Sequence, residues 1–462
     1  STYTASEDVR EIDRIYIQEI IEKAKLKIPR LVNELNFIAK VLLLEYDEYL
    51  TPEEQAQWLH FVMRIQQFSG PLTAKGVEDT GLYVYNRLLS LNEVGGTPDL
   101  FGIPVSVFHN FNQKCQDRWA HSMNSTSTHD TKRSEDIRAR INVISEIPER
   151  WSAEVNTWKQ LNQTYKTNIS GQVIPDANDE YFLYQTLVGA FPFSEEEYPE
   201  FVERIKNYVV KAVREAKVHT AWIRPDTDYE EGFVAFVAKI LQPSPENQFL
   251  NKLRSFQQWI AHYGILNSLS QTLLKITAPG VPDFYQGTEL WELSLVDPDN
   301  RRPVDFEQRW RWLNEIEQRC QTDILSLISE SIAHCEDGRI KLFLIARALA
   351  ARNQHLELFQ QGAYIPLGVI GQYQDHIVAF ARHQGNKTAI AIVPRFLTSL
   401  VQPDKFPLGK EVWDQTRIEI PQGLQANWQD VFTHQQIAQS DTITIGEALQ
   451  DFPVALLISD RL

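Results

Sequence analysis

Residues 8–68 carry their apolar side chains at helical spacing. In VREIDRIYIQEIIEKAKL, Ile12, Ile15, Ile20, Ile21 and Leu26 lie at roughly helical spacing, which predicts an amphipathic helix. TPEEQAQWLHFVMRIQQF predicts another: Thr51 caps it, Pro52 opens its first turn, and two glutamates sit at the positive end of its dipole. Residues 70–118 are rich in Gly, Pro and Asn and predict loops with short helix. SMNSTSTH then reads as a short buried strand ending at His129-Asp130. Residues 134–275 return to helical spacing, broken at NISGQVIPDAND, FPFSEEEYPE and IRPDTDYEEG. APGVPDFYQGTEL predicts a short strand and a loop, and helices resume over 306–352.

From about residue 363 the period changes. HIVAFARHQG, TAIAIVP and FPVALLIS are short β-branched runs separated by turn residues, which predicts a C-terminal antiparallel β-domain. The fold class is therefore α+β, with a mostly helical body. Its two isolated strands cannot form an independently stable sheet and read as parts of a larger barrel.

Charge and composition narrow the function. A formal net charge of −16 argues against nucleic acid, whose phosphates need a basic face. No apolar run reaches membrane-spanning length, so no membrane span is expected. The N-terminal STYTASEDVREIDR lacks an apolar signal region and an initiator Met, which predicts a processed or cut chain. Cys115, Cys320 and Cys335 are odd in number and scattered, which favours reduced thiols in a cytoplasmic compartment. The nucleotide-binding, zinc-protease and serine-hydrolase motifs are missing. Carboxylates, amides and aromatics in loops remain. That is the equipment of a carbohydrate enzyme, although most of the aromatics are expected to be core.

Three segments carry chemistry. GPLTAKGVEDTGLYVYNRLLSLNEVGG spans Gly70 to Gly96, STSTHDTKRSEDIRARI surrounds the His-Asp pair, and PGVPDFYQGTELWELSLVDPDNRRPVDF runs from Pro279 to Phe306. In order, spacing and wording they closely resemble the maltooligosyl trehalose synthase family of the α-amylase clan. The resemblance implies a (β/α)8 barrel with its site at the C-terminal strand ends. It divides the chain into 1–118, a helical subdomain with a substrate-pocket loop; 119–130, the seventh barrel strand; 131–275, a helical insertion; 276–360, the eighth strand, loop and closing helices; and 361–462, a β-sandwich. It makes Asp130 the clan's third catalytic carboxylate, which with His129 binds the 2- and 3-hydroxyls of the sugar being cleaved. Lys132 matches a family lysine near that sugar. Lys75, Glu78, Asp79, Tyr83, Tyr85, Asn86 and Arg87 would line the reducing-end pocket. Asp283, Tyr285, Gln286 and Glu289 would face the same barrel end. Asp297, Asp299, Arg301, Arg302 and Asp305 read as a loop-fixing salt-bridge network ahead of the alternative, sugar ligands. Trp222, in the loop after Lys217, is open between stacking on sugar and packing.

The clan's nucleophile, in an Arg-x-Asp context, and its acid/base Glu find no counterpart. The sequence is therefore expected to be the C-terminal portion of such an enzyme, partnered by the missing N-terminal half of the barrel and inactive alone. The expected substrate is a maltooligosaccharide, and neither metal nor organic cofactor is expected. A related hydrolase or 4-α-glucanotransferase, and a non-catalytic glucan-binding subunit, are the alternatives.

Overall fold

The computed structural model describes residues 9–169 and 171–459; residues 1–8, with most of the stretch read for a signal region, and residues 170 and 460–462 lie outside it. The chain divides into two compact units, Ser1–Gly81 and Leu82–Leu462, so the expected 1–118 subdomain straddles a boundary.

The first unit contains α1 (Glu11–Lys27), α2 (Val32–Leu42) and α3 (Pro52–Thr73), with a π-helical stretch at Ala74–Gly81. α3 begins where its residues demand. Glu54 N–H donates to Thr51 Oγ1 at 3.2 Å and Thr51 N–H donates to the Glu54 carboxylate at 2.8 Å, a reciprocal cap. The expected apolar face of α1 is not a core face. Ile21 is buried, but Ile12, Ile15, Ile20 and Leu26 are exposed, because so small a helical unit has too little partner surface to cover them.

The second unit opens with the turn α4 (Leu82–Val84), then α5 (Val105–Arg118) and strand β1 (Met123–Ser125). Next come α6 (Glu135–Val143), α7 (Pro148–Asn162), the hairpin β2 (Thr167–Ile169) and β3 (Gln172–Ile174), α8 (Ala177–Ala190), α9 (Tyr198–Ala216) and α10 (Thr227–Ile240). The hairpin falls where a break in helix is expected. α11 (Gln248–Thr277) leads into β4 (Val281–Asp283), followed by α12 (Phe306–Thr322), α13 (Ile324–Ala333), α14 (Arg339–Gln354) and α15 (Leu356–Gln361).

α11 is the spine, apolar around most of its 30 residues and packed against α6, α8 and α14. Two glycines let neighbours approach α6. A Cβ on Gly264 of α11 would stand 2.5 Å from Arg140 Cγ, and one on Gly189 of α8 would stand 2.7 Å from Ile137 Cγ2.

The C-terminal runs form two antiparallel sheets. The strands β5 (Ala363–Pro366), β6 (Val369–Ile370), β7 (Ile377–Gln384), β8 (Lys387–Pro394), β9 (Arg417–Glu419), β10 (Trp428–Asp430), β11 (Gln436–Ile437), β12 (Thr442–Thr444) and β13 (Ala455–Ser459) order as β11-β10-β13-β8-β7-β5 and β12-β9-β6. In β8, Ile390 and Ile392 share a core with Ile418 and Ile443 of the smaller sheet, while Ala389 and Val393 join the core of α11 and α14. Burial on both faces explains why TAIAIVP is a continuous apolar run.

Beneath the helices lies a closed set of charges. Lys341 Nζ of α14 donates to Glu135 at 2.8 Å and to Asp136 at 2.9 Å, and Lys275 Nζ of α11 lies 3.4 Å from Glu135. All four are buried. Burial alone would push the Glu135 carboxyl up, but Lys341 and Lys275 hold it down to about 2. A carboxyl held below its unfolded value contributes stability that is fully present above about pH 4.5 and is lost as pH falls toward about 2. Urea unfolding between those pH values should therefore show stability dropping with acidification, and Glu135→Gln should flatten that dependence.

Candidate active site

β1 and β4 pair in parallel, Met123 with Val281, Asn124 with Pro282 and Ser125 with Asp283, a pairing that the resemblance implies, although β1 ends at Ser125, short of the expected His129-Asp130. Their C-terminal ends therefore point the same way, and the loops that follow, 126–134 and 284–305, emerge side by side. Ser125 Oγ donates to Asp283 Oδ2 at 2.7 Å across the pair. The expected burial is not met. Met123 is 67% exposed and Val281 40%, because among the described residues neither strand has a further neighbour.

The first loop is fixed at every turn. Asp130 N–H donates to Thr128 Oγ1 at 3.2 Å, and Thr131 Oγ1 donates to Thr128 O at 3.0 Å. Asn300 Nδ2, from the second loop, donates to His129 O at 3.0 Å. Ser127 Oγ accepts from Glu135 N–H at 2.9 Å and closes the N-terminus of α6. Two consecutive backbone N–H groups, of Lys132 and Arg133, donate to the two oxygens of Glu93 at 2.7 and 3.2 Å. Val94 N–H adds a third bond at 2.8 Å, and Arg138 Nε lies 3.6 Å from the same carboxylate.

The loop thus presents Asp130 outward, its side chain 52% exposed, with His129 exposed beside it. Lys132 is a buried lysine rather than a solvated one: its side chain is 2% exposed and its Nζ stands 3.9 Å from Asp130 Oδ1. Burial raises the Asp297 carboxyl, but Lys211 at 2.9 Å, Arg301 and Lys132 together hold it below the usual range. The arrangement is an exposed carboxylate on a rigid loop backed by a cation, suited to accepting hydrogen bonds from adjacent hydroxyls.

The second loop is stitched to the first. Glu292 N–H donates to Asp136 Oδ2 at 2.8 Å, Ser134 N–H to Ser294 O at 3.0 Å, and Ser134 Oγ to Glu292 O. Tyr285 is half-buried with its hydroxyl on Asn300 O at 3.2 Å, and Gln286 is exposed. Glu289 is held by Arg309 at 3.0 Å and by Gly287 N–H at 3.1 Å, which makes it a loop brace. The alternating charges are a fixing network. Arg204 grips Asp299 with two bonds of 2.7 Å, Leu295 N–H adds another, Arg302 reaches Glu200 at 2.7 Å, and Asp305 caps α12. The Glu292 carboxyl, raised by burial, lies in a polar cavity of about 230 Å3 with Gln286, Asn300 and Asp305.

No family profile matches the chain. Two curated proteins of Mycobacterium tuberculosis, provisionally named maltooligosyl trehalose synthase, are 34% identical over 399 residues, 86% of this chain and 46% of theirs. The maltooligosyltrehalose synthase structure from Arthrobacter ramosus superposes with a TM-score of 0.76 at 32% identity, covering 96% of this chain and 51% of that one. Its relatives are maltooligosyl trehalose synthases. A Sulfolobus tokodaii structure, titled a hypothetical member, gives 0.65 at 30% identity over 98% of this chain and 58% of that one. The chain spans about half the length of the curated synthases it matches.

The remaining positions that the synthase resemblance singles out lie apart in kind. Lys75, Glu78 and Asp79 sit on the π-helical stretch of the first unit, with Lys75 and Asp79 paired at 2.9 Å. In the second unit Tyr83 is buried, its ring 6.3 Å from Phe182. Asn86 is buried too, donating to Asn178 O at 3.4 Å. Those two side chains brace the 82–92 segment from inside, while Tyr85 and Arg87 are exposed. Trp222 neither stacks in a core nor lies free; it is 51% exposed with the Arg214 guanidinium 4.9 Å over its ring. Asp176, Asp179 and His219 bring ligand-type atoms within 4.8 Å of one another. They are already hydrogen-bonded, His219 to Asp176 at 2.8 Å and Tyr229 to Asp179, and burial pushes the Asp179 carboxyl up to about 6.

Sequence reading missed Glu93, although it stands inside the first synthase-like segment. A lone Glu in NEVGG carries no signal of its own; only the fold brings it to the Lys132 and Arg133 amides. Glu93→Ala removes the acceptor for three N–H groups and should cost about 1–3 kcal/mol of stability. In hydrogen exchange the Lys132 and Arg133 amides should lose protection selectively, while those of α11 keep theirs.

Proposed function

We propose that the chain forms the sugar-distorting part of an intramolecular transglycosylase acting on maltooligosaccharides. The observation that carries this reading is Asp130, in the synthase-like segment, held outward at the C-terminal end of the parallel β1–β4 pair. The resemblance supplies the chemistry. A carboxylate nucleophile attacks C1 of the sugar before the reducing-terminal glucose while a carboxylic acid protonates the leaving O4, giving a covalent glycosyl-enzyme. The freed glucose turns in place. Its own anomeric hydroxyl, deprotonated by the same acid/base group, attacks C1 and displaces the nucleophile. The product carries an α,α-1,1 bond, and the net change is an isomerisation that consumes no water.

Asp130 and His129 would accept and orient the 2- and 3-hydroxyls of the ring that becomes oxocarbenium-like, in bonds that strengthen as the ring flattens. The Glu93 clamp and the Asn300 bond keep the loop from relaxing away from that geometry. Nucleophile and acid/base would come from outside these 462 residues, on strands adding to the open edges of β1 and β4 to complete the barrel.

The linkage makes the test direct, because an α,α-1,1 bond uses both anomeric carbons. With the completing portion supplied, maltopentaose should lose reducing ends. A hydrolase would raise their number and a 4-α-glucanotransferase would leave it unchanged, and either result overturns the proposal. Asp130→Asn in the completed enzyme should lower kcat by about two to three orders of magnitude with an unaltered melting temperature. The 462-residue chain alone should leave maltopentaose untouched, since groups acting as a unit give almost nothing singly.

A further inference from the structure

We propose that a second cleft, formed by α11, the turn after α13 and the 403–406 loop, binds a short segment of linear α-1,4-glucan. It shares no residue with the Asp130 loop or the 283–289 segment. Its volume of about 860 Å3 falls within the range of sites that hold small molecules, ~300–1,000 Å3. Trp259, Phe193 and Phe406 give it aromatic walls. Trp259 is held in place, with the Arg150 guanidinium 4.2 Å from its ring centre and Tyr263 4.7 Å away. His262 Nε2 bonds Lys405 O at 3.0 Å, tying α11 to the 403–406 loop, and its ring meets Phe406 edge-on at 5.6 Å.

The polar groups decide the ligand class. Glu336 and Asp404 line the cleft as exposed carboxylates with no hydrogen-bond or ion-pair partner among the described residues, and no Lys or Arg lines it. The lining itself thus carries acidic side chains and no Lys or Arg, which favours a neutral ligand over an anionic one. Rigid aromatic walls beside hydrogen-bond acceptors suit a ligand with apolar C–H faces and many hydroxyl donors, which is a sugar chain. The choice of an α-1,4-glucan rests on the function proposed above. A polymeric substrate gains from a second foothold, since a tethered chain meets the first site at raised effective concentration.

Titration of the 462-residue protein with maltoheptaose, followed by calorimetry and tryptophan fluorescence, tests this without turnover. Trp259→Ala should weaken binding at least about tenfold. The rim pair Glu336→Ala with Asp404→Ala, on exposed loops, should weaken it severalfold at an unchanged melting temperature. Equal affinity in the Trp259 and rim variants, or no wild-type binding at millimolar maltoheptaose, overturns the cleft. So does saturation by an alkylammonium cation with none by maltoheptaose. A completed enzyme that leaves reducing ends unchanged would instead overturn the proposed reaction and leave the cleft standing.

Discussion

The two loops meet the helices at the buried charges of Glu135, Asp136, Lys275 and Lys341. Two carboxylates open α6, one ammonium comes from the end of α11 and one from the start of α14, so the set is neutral. Taking four charges out of water costs several kcal/mol each, and attraction offsets that only if geometry and hydrogen bonding are nearly complete. Here they are. Glu135 also accepts from Thr126, just past β1; Lys275 lies 3.7 Å over the Phe284 ring, just past β4; Asp136 accepts from Glu292 N–H in the second loop. An apolar core of equal volume could match the stability. It would not specify which residue of each loop sits where, because dispersion is non-directional.

The loops are consequently held by helices more than by their strands. Three-residue strands in a parallel pair contribute little, and these two are largely exposed. The rigidity comes from α6, wedged between α8 and α11 where Gly189 and Gly264 remove the side chains that would keep them apart. Glu93 then fastens the other end of the loop through backbone amides, a contact whose strength does not depend on the side chains of Lys132 or Arg133.

What the sequence disclosed follows from how local each signal is. The start of α6 at Ser134, the cap of α3 at Thr51 and the strand runs at 377–384 and 388–394 depend on neighbours within a few residues, so they were legible. The parallel pairing of β1 with β4 came from the resemblance and could not have come from three-residue patterns. The buried state of Lys132, the brace formed by Glu289 and Arg309, and the clamp of Glu93 depend on partners 20 to 40 residues away, and no periodicity records them. The exposed face of α1 shows the converse limit. Helical spacing predicts that a face is apolar, and says nothing of whether anything covers it.

The β1–β4 pair has no further strand beside it among the described residues, and the proposed addition of strands there would have a physical consequence. Strands placed against β1 and β4 would cover Met123 and Val281 and exclude water from the C-terminal end of the pair. Lower local dielectric would strengthen the attraction between Asp130 and Lys132, now 3.9 Å apart with the carboxylate in solvent. The loop geometry itself would have little reason to shift, since its anchors at Glu93, Asn300 and the charge cluster all lie on residues of the second unit. Assembly in that case alters the electrostatics around Asp130 far more than its position. The carboxylate is placed by residues of the second unit alone, and its acceptor strength would follow the dielectric of whatever covered it.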